Sequence, residues 1–129
     1  MPKKSDRVAR RNARLLARMS KEIACEAFGL AHAELTRPDR GDVCVARARQ
    51  TAMYLAHVVG RLSLNEVSEE FDRDRSTVSH ACINVEDSRD SPIIEIQLDY
   101  MEKRLRERIA SLKDAGVMPA RRCASKTRR

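Results

Sequence analysis

Asp74-Arg75-Ser76-Thr77, followed by Ser79 and His80, is the run of side chains in this sequence best suited to reading another molecule's polar edge. Arginine can pair bidentately with N7 and O6 of guanine, and short hydroxyl side chains let a helix come close to base edges. Bond-making chemistry is served less well. No carboxylate pair, Ser-His-Asp set or metal cluster stands out, so an enzyme is not expected, nor a cofactor. Cys44, His57, His80 and Cys82 can be written as a zinc set, but their spacing matches no common zinc pattern. The cysteines at 25, 44, 82 and 123 include no Cys-x-x-Cys pair and are expected to be free thiols.

The elements that must carry this run are two short helices. Ser63-Leu64-Asn65-Glu66 has the capping-box form and starts a helix with Leu64, Val67 and Phe71 facing inward. Asp72-Arg73-Asp74 breaks it, and Asp74 is placed to cap a second helix. On the wheel Val78, Ala81, Cys82 and Val85 share one arc, while Ser76, Ser79, His80, Ile83 and Asn84 share the opposite one. Two helices joined by a three-residue turn match the helix-turn-helix unit, whose second helix enters the major groove. A capped surface helix in any small bundle would show the same pattern.

Around this pair the chain reads as helices with no convincing strand. Leu15, Met19, Ile23, Ala27 and Leu30 form one stripe, extended by Val8 and interrupted by Asn12. Arg7, Arg10, Arg11, Arg14 and Arg18 occupy the other faces. Residues 36–42 carry turn formers and a proline and are expected to be a linker. A second stripe over 45–62 runs through Ala48, Ala52, Leu55, Val59 and Leu62, weakened at its end by Gly60. Ser91-Pro92 opens a last helix through Ile94, Leu98, Met101, Leu105 and Leu112, stopping near Gly116. The expected fold is all-α: a small bundle containing a helix-turn-helix, with an extra N-terminal amphipathic helix.

The 129 residues include four aromatics and no tryptophan, so the core must come from Leu, Ile, Val, Ala and Met. Four glycines and four prolines are too few for a turn-rich β-sandwich. No apolar run nears the roughly 20 residues that span a bilayer, and no secretory signal is visible, so a cytoplasmic, nucleoid-associated protein is expected. The net charge of +7 is uneven: residues 1–22 carry +6 and residues 117–129 carry +5, leaving the middle at −4. Basic ends on an acidic body suggest arms that seek a polyanion, most commonly nucleic acid.

From Val45 the chain reads VARARQTAMYLAHVVGRLSLNEVSEEFDRDRSTVSHACINVED, which resembles the C-terminal DNA-binding domain of the bacterial replication initiator DnaA. That family shows R-Q-x-A-M-x-L-A, S-L-x-E-I and D-H-T-T-V-x-H-A-C segments. They correspond here to Arg49–Ala56, Ser63–Val67 and Asp74–Cys82, and the resemblance covers about residues 43–112. It implies a Trp-repressor-like helix-turn-helix domain over 43–116; the charge and turn residues around it predict a basic helix and linker over 1–42 and a basic disordered tail over 117–129. The stripe over 15–35 has no counterpart in the resembling segment. Either it packs on the domain or it pairs two chains as a homodimer.

The resemblance also implies roles. Arg49, with Arg47 beside it, matches the arginine that the family sends into the minor groove. Asp74, Arg75, Ser76 and Thr77 match its major-groove readers. Asp74 could accept from a cytosine amino group or only cap its helix, and Thr77 could offer a methyl, a phosphate bond or only a bond within its own turn. Arg73, Ser79 and His80 complete the candidate set, although His80 and Cys82 also fit as packing or flanking residues. Arg75 replaces the family's histidine, Ser76 its first threonine, and Ile83-Asn84 a basic pair. The inter-helix turn is one residue shorter. No Gly-x-x-x-x-Gly-Lys-Ser/Thr occurs, so no nucleotide is expected. The expected partner is double-stranded DNA, bound sequence-specifically at DnaA-box-like sites, and the expected role is to modulate chromosomal replication initiation. A transcription regulator, or a helical adaptor whose basic arms bind RNA or a protein, are the alternatives.

Overall fold

A computed structural model describes residues 4–35 and 42–117. Six helices are formed: α1 (Lys4–Phe28), α2 (His32–Leu35), α3 (Val43–Val58), α4 (Leu64–Phe71), α5 (Arg75–Ser88) and α6 (Pro92–Asp114). There is no strand among the described residues, and the fold is all-α as expected. Most of the expected linker and nearly all of the expected tail, Cys123 included, lie outside the described residues.

α3 is the central helix, and its sequence explains why. Ala48, Ala52 and Ala56 are small enough for neighbouring backbones to come close, and Val45, Met53 and Leu55 fill the space between. Buried positions occur all round this helix, so it is covered on several sides. α1 covers one of them, and α1 and α2 share a single core with α3 to α6. The N-terminal stripe therefore packs within its own chain. Its buried arc differs from the expected one: Ala13, Leu16, Ala17, Met19, Ser20, Ile23 and Ala24 are buried, whereas Leu15 is half-buried and Ala27 exposed. Ala13, Ala17, Ser20 and Ala24 recur at three- and four-residue spacing and give α1 a flat side. These four small residues lie outside the expected stripe and shift the buried arc away from Leu15 and Ala27. The Ser20 hydroxyl is satisfied within the helix by donating to the Leu16 carbonyl at 2.9 Å.

α3 ends at Val58, one turn earlier than its apolar pattern suggests. A Cβ on Gly60 would lie 2.7 Å from the Ala56 carbonyl oxygen, so only glycine fits there. Arg61 then takes a left-handed conformation with φ 62°, and the Leu62 amide donates to the Ala56 carbonyl at 3.1 Å. This turn delivers Leu62 to the core at 1% exposure although it is no longer helical. The next residue begins the expected capping box: Glu66 N donates to Ser63 Oγ and Ser63 N to Glu66 Oε1.

Arg89, just past the end of α5, joins three helices. Its guanidinium donates to the Tyr54 hydroxyl of α3 at 3.3 Å, to Glu95 of α6 at 2.8 Å, and to Glu102 of α6. Tyr54 in turn donates to Glu86 of α5 at 2.9 Å. Burial works against the charged guanidinium, but the bonds it donates to Tyr54 and Glu95 and the Glu102 charge outweigh it and hold its pKa above the usual arginine range. The orientation of α5 on α3 is thus fixed by a charged clasp as well as by the apolar contacts of Val78, Ala81 and Val85.

Candidate nucleic-acid interface

The turn between α4 and α5 is short and internally bonded. Asp72 is left-handed at φ 53°, a conformation that carbonyl-bonding Asp tolerates better than most residues. The Arg73 amide donates to the Ser68 carbonyl at 3.1 Å, and the Ser68 hydroxyl donates to the Arg73 carbonyl at 2.6 Å. The Arg73 guanidinium folds back on the Asp72 carbonyl at 3.0 Å. Arg73 thus bonds to the turn. Its role in the structure is to stiffen the joint from which α5 departs.

α5 presents the two faces that its sequence describes. Val78, Ala81 and Val85 are buried, and burial pushes the half-buried Cys82 thiol up to about 11. Asp74, Arg75, Ser76, Thr77, His80, Ile83 and Asn84 are exposed, with Ser79 half-buried between them. Asp74 stands at the N-cap with extended backbone, yet its side chain makes no capping bond. The expected cap is not formed, and the carboxylate is left facing solvent beside the first turn. Among the described residues no carboxylate lies within ion-pair distance of Arg75. The helix therefore offers an outward N-terminal turn with a cation, a carboxylate and two hydroxyls, over backbone amides whose dipoles favour anions.

The two arginines of the neighbouring α3 separate. Arg47 is exposed and lines a cleft of about 270 Å³ with Gln50, Asn84 and Ser88, over a floor that includes Phe28 and Met101. Arg49 is 5% exposed, and its Nε donates to the Leu35 carbonyl of α2 at 2.9 Å. The side chain that the resemblance assigns to a groove is turned into the body of the domain. Two residues along a helix rotate a side chain by about 200°, so adjacent arginines at this spacing leave on opposite faces. Only one of them can face outward.

The clasp of Tyr54 and Arg89 escaped sequence reasoning, because nothing local marks Arg89 among its charged neighbours. Lys21 escaped it too: its ammonium sits 4.7 Å from the Phe71 ring centroid and donates to the Glu70 carbonyl, tying α1 to the end of α4. Burial lowers its pKa. The four residues written as a zinc set are dispersed in role. Cys44 is exposed at the start of α3, His57 Nδ1 lies 2.7 Å from the Leu62 carbonyl, His80 is exposed on α5, and Cys82 is half-buried. No helix among the described residues is long and apolar enough to cross a membrane.

Comparison with known proteins identifies this arrangement. The family model described as the bacterial dnaA protein helix-turn-helix matches residues 21–85, which takes in α4, the turn and nearly all of α5. The match starts at residue 21, so the family segment takes in the last two turns of α1 and α2, which lie outside the resembling stretch over 43–112, and leaves out the first two thirds of α1. The chain is 35% identical over 63 residues to the chromosomal replication initiator protein DnaA of Thermoanaerobacter sp. (strain X514), covering 48% of this chain and 14% of that protein. It is 30% identical over 103 residues to the protein of that name from Caldanaerobacter subterraneus subsp. tengcongensis, covering 78% of this chain and 23% of that protein. The one from Caulobacter sp. (strain K31) is 34% identical over 83 residues, covering 63% and 17%. The chain thus spans less than a quarter of the length of these relatives. With a match over half its residues, running through the two helices and turn described above, the chain belongs to the bacterial DnaA protein helix-turn-helix family of DNA-binding domains.

Proposed function

We propose that this protein binds double-stranded DNA sequence-specifically, at DnaA-box-like sites, and thereby modulates chromosomal replication initiation. The observation that carries the reading is the outward first turn of α5. Asp74, Arg75, Ser76 and Thr77 are exposed together on a helix whose other face is locked into the core. Such a helix can enter a major groove without rearranging the domain. Arg75 would pair with a guanine, Asp74 would accept from a cytosine amino group, and Ser76 and Thr77 would take phosphate or base-edge bonds. Ser79 and His80 lie further along the same helix and would meet the groove wall.

Arg47 supports the reading from α3. It is exposed at the cleft beside Asn84, on the side of the domain that α5 shares, and would reach the backbone or the minor groove next to the site. Arg49 would act through position: by holding α2 against α3 it fixes the start of the helix that carries Arg47. Arg73 would stiffen the turn.

A gel shift tests the reading, using a DnaA-box duplex, a scrambled duplex of equal length and a structured RNA. Binding to the box duplex at least about tenfold tighter than to the other two is expected at near-physiological salt. Equal binding to all three would overturn sequence-specific recognition.

A further inference from the structure

α1 carries a charged surface that the α5 interface does not use. Arg7, Arg11, Arg14 and Arg18 follow at four-, three- and four-residue spacing, which places them within an arc of roughly 60° on the helix. All four are exposed. Their arc lies opposite the buried face of Leu16, Ser20 and Ile23. Arg18 makes a 3.5 Å ion pair with Glu22, its own helix neighbour and 72% exposed at the arginine end, a contact of little consequence in water. Arg7, Arg11 and Arg14 have no carboxylate within ion-pair distance among the described residues.

The place of this stripe in the fold decides what it can touch. Among the described residues α1 packs on α2, α3, α4 and α6, whereas α5 packs on α3 and α4. The arginines lie opposite the buried face of α1, on a helix other than the two that α5 packs on.

The ligand class follows from chemistry and dimensions. From Arg7 to Arg18 the helix rises about 16 Å, a length over which duplex DNA carries about ten phosphate charges. Every cation in the stripe is arginine, whose planar fork suits phosphate oxygens. A membrane surface is disfavoured, because a helix that lies in a lipid interface needs a free apolar face, and that of α1 is spent on α3. We infer that the arginine stripe of α1 is a second, sequence-independent phosphate-binding surface, and that one chain can hold two duplex segments, one at α5 and one at α1. This rests on the proposed DNA reading only for the first duplex.

Sedimentation of the full chain with excess short duplex measures how many duplexes each chain holds. Two per chain are expected at low salt for the natural sequence. One is expected for the triple variant Arg7→Gln, Arg11→Gln, Arg14→Gln, with affinity for the box duplex unchanged within about twofold. The corresponding triple Lys variant, which keeps the charge, should still hold two. One duplex per chain in the natural sequence, or two in the Gln variant, would overturn the inference. So would loss of box-duplex affinity in the Gln variant, since the stripe would then touch the same duplex as α5. Attachment to phosphatidylserine vesicles in place of the second duplex would assign the stripe to lipid and overturn it as well. Failure of the α5 reading shows separately, as absence of preference for the box sequence at unchanged stoichiometry.

Discussion

The guanidinium of Arg49 reaches the carbonyl of Leu35, fourteen residues earlier in the chain, and donates to it from Nε at 2.9 Å. A buried charge-assisted bond of this kind contributes about 1.5–3 kcal/mol. It closes the end of α2 onto α3. Arg49→Ala is expected to lower the free energy of unfolding by that amount in urea titrations. Where the variant remains folded, it should recover the same DNA motif as the natural sequence. A full-stability variant with an altered A·T-rich flank would place Arg49 in the groove instead.

Arg89 offers a sharper test of what orients α5. Glu102 is 9% exposed and faces this arginine. Removing the cation leaves a nearly buried carboxylate without its main partner, which costs about 3–5 kcal/mol. Arg89→Met should show this loss in thermal or chemical unfolding. The double variant Arg89→Met, Glu102→Leu should recover much of it, since the uncompensated charge is gone. Equal destabilisation in both would mean that the clasp acts through Tyr54 and Glu95 rather than Glu102.

What could be read from the sequence follows a physical divide. The inward face of α5 was legible because Val78, Ala81 and Val85 alternate with small polar residues at helical spacing, and the capping box was legible because Ser63 and Glu66 interact within one turn. Contacts that depend on elements meeting in space were not. α2 is a four-residue helix, too short to carry a periodic signal. Its Leu35 carbonyl, reached from α3, gave no hint that Arg49 would be enclosed. The end of α3 was misplaced because Leu62 keeps the apolar phase while a left-handed Arg61, not a helix, delivers it. At Asp74 the local rule named the right position and the wrong bond.

Alkaline conditions should destabilise the domain through buried Tyr54 and half-buried Cys82. Burial, chiefly, raises Tyr54 to about 12 from 10.0 and Cys82 to about 11 from 9.0. Each group ionises first in the unfolded chain, so the unfolded state binds fewer protons and stability falls as pH rises. The contribution of Cys82 is intact below about pH 9 and lost by about 11, and that of Tyr54 is lost between about 10 and 12. Urea midpoints measured from pH 8 upward should decline across this window. Cys82→Ala should flatten the first part of the decline and leave the second, whereas an unchanged profile would show that the thiol is not protected.

The proposed base-reading role of α5 rests on Arg75, whose exposed side chain stands at the first position of the helix. Selection of binding sites from a random duplex library, run on the natural sequence and on Arg75→Ala, measures that role directly. The expected result is a defined motif for the natural sequence and, for the variant, loss of preference at one base pair by about 1–3 kcal/mol with the flanking positions retained. Identical motifs from the two proteins, or no motif from the natural sequence, would contradict it.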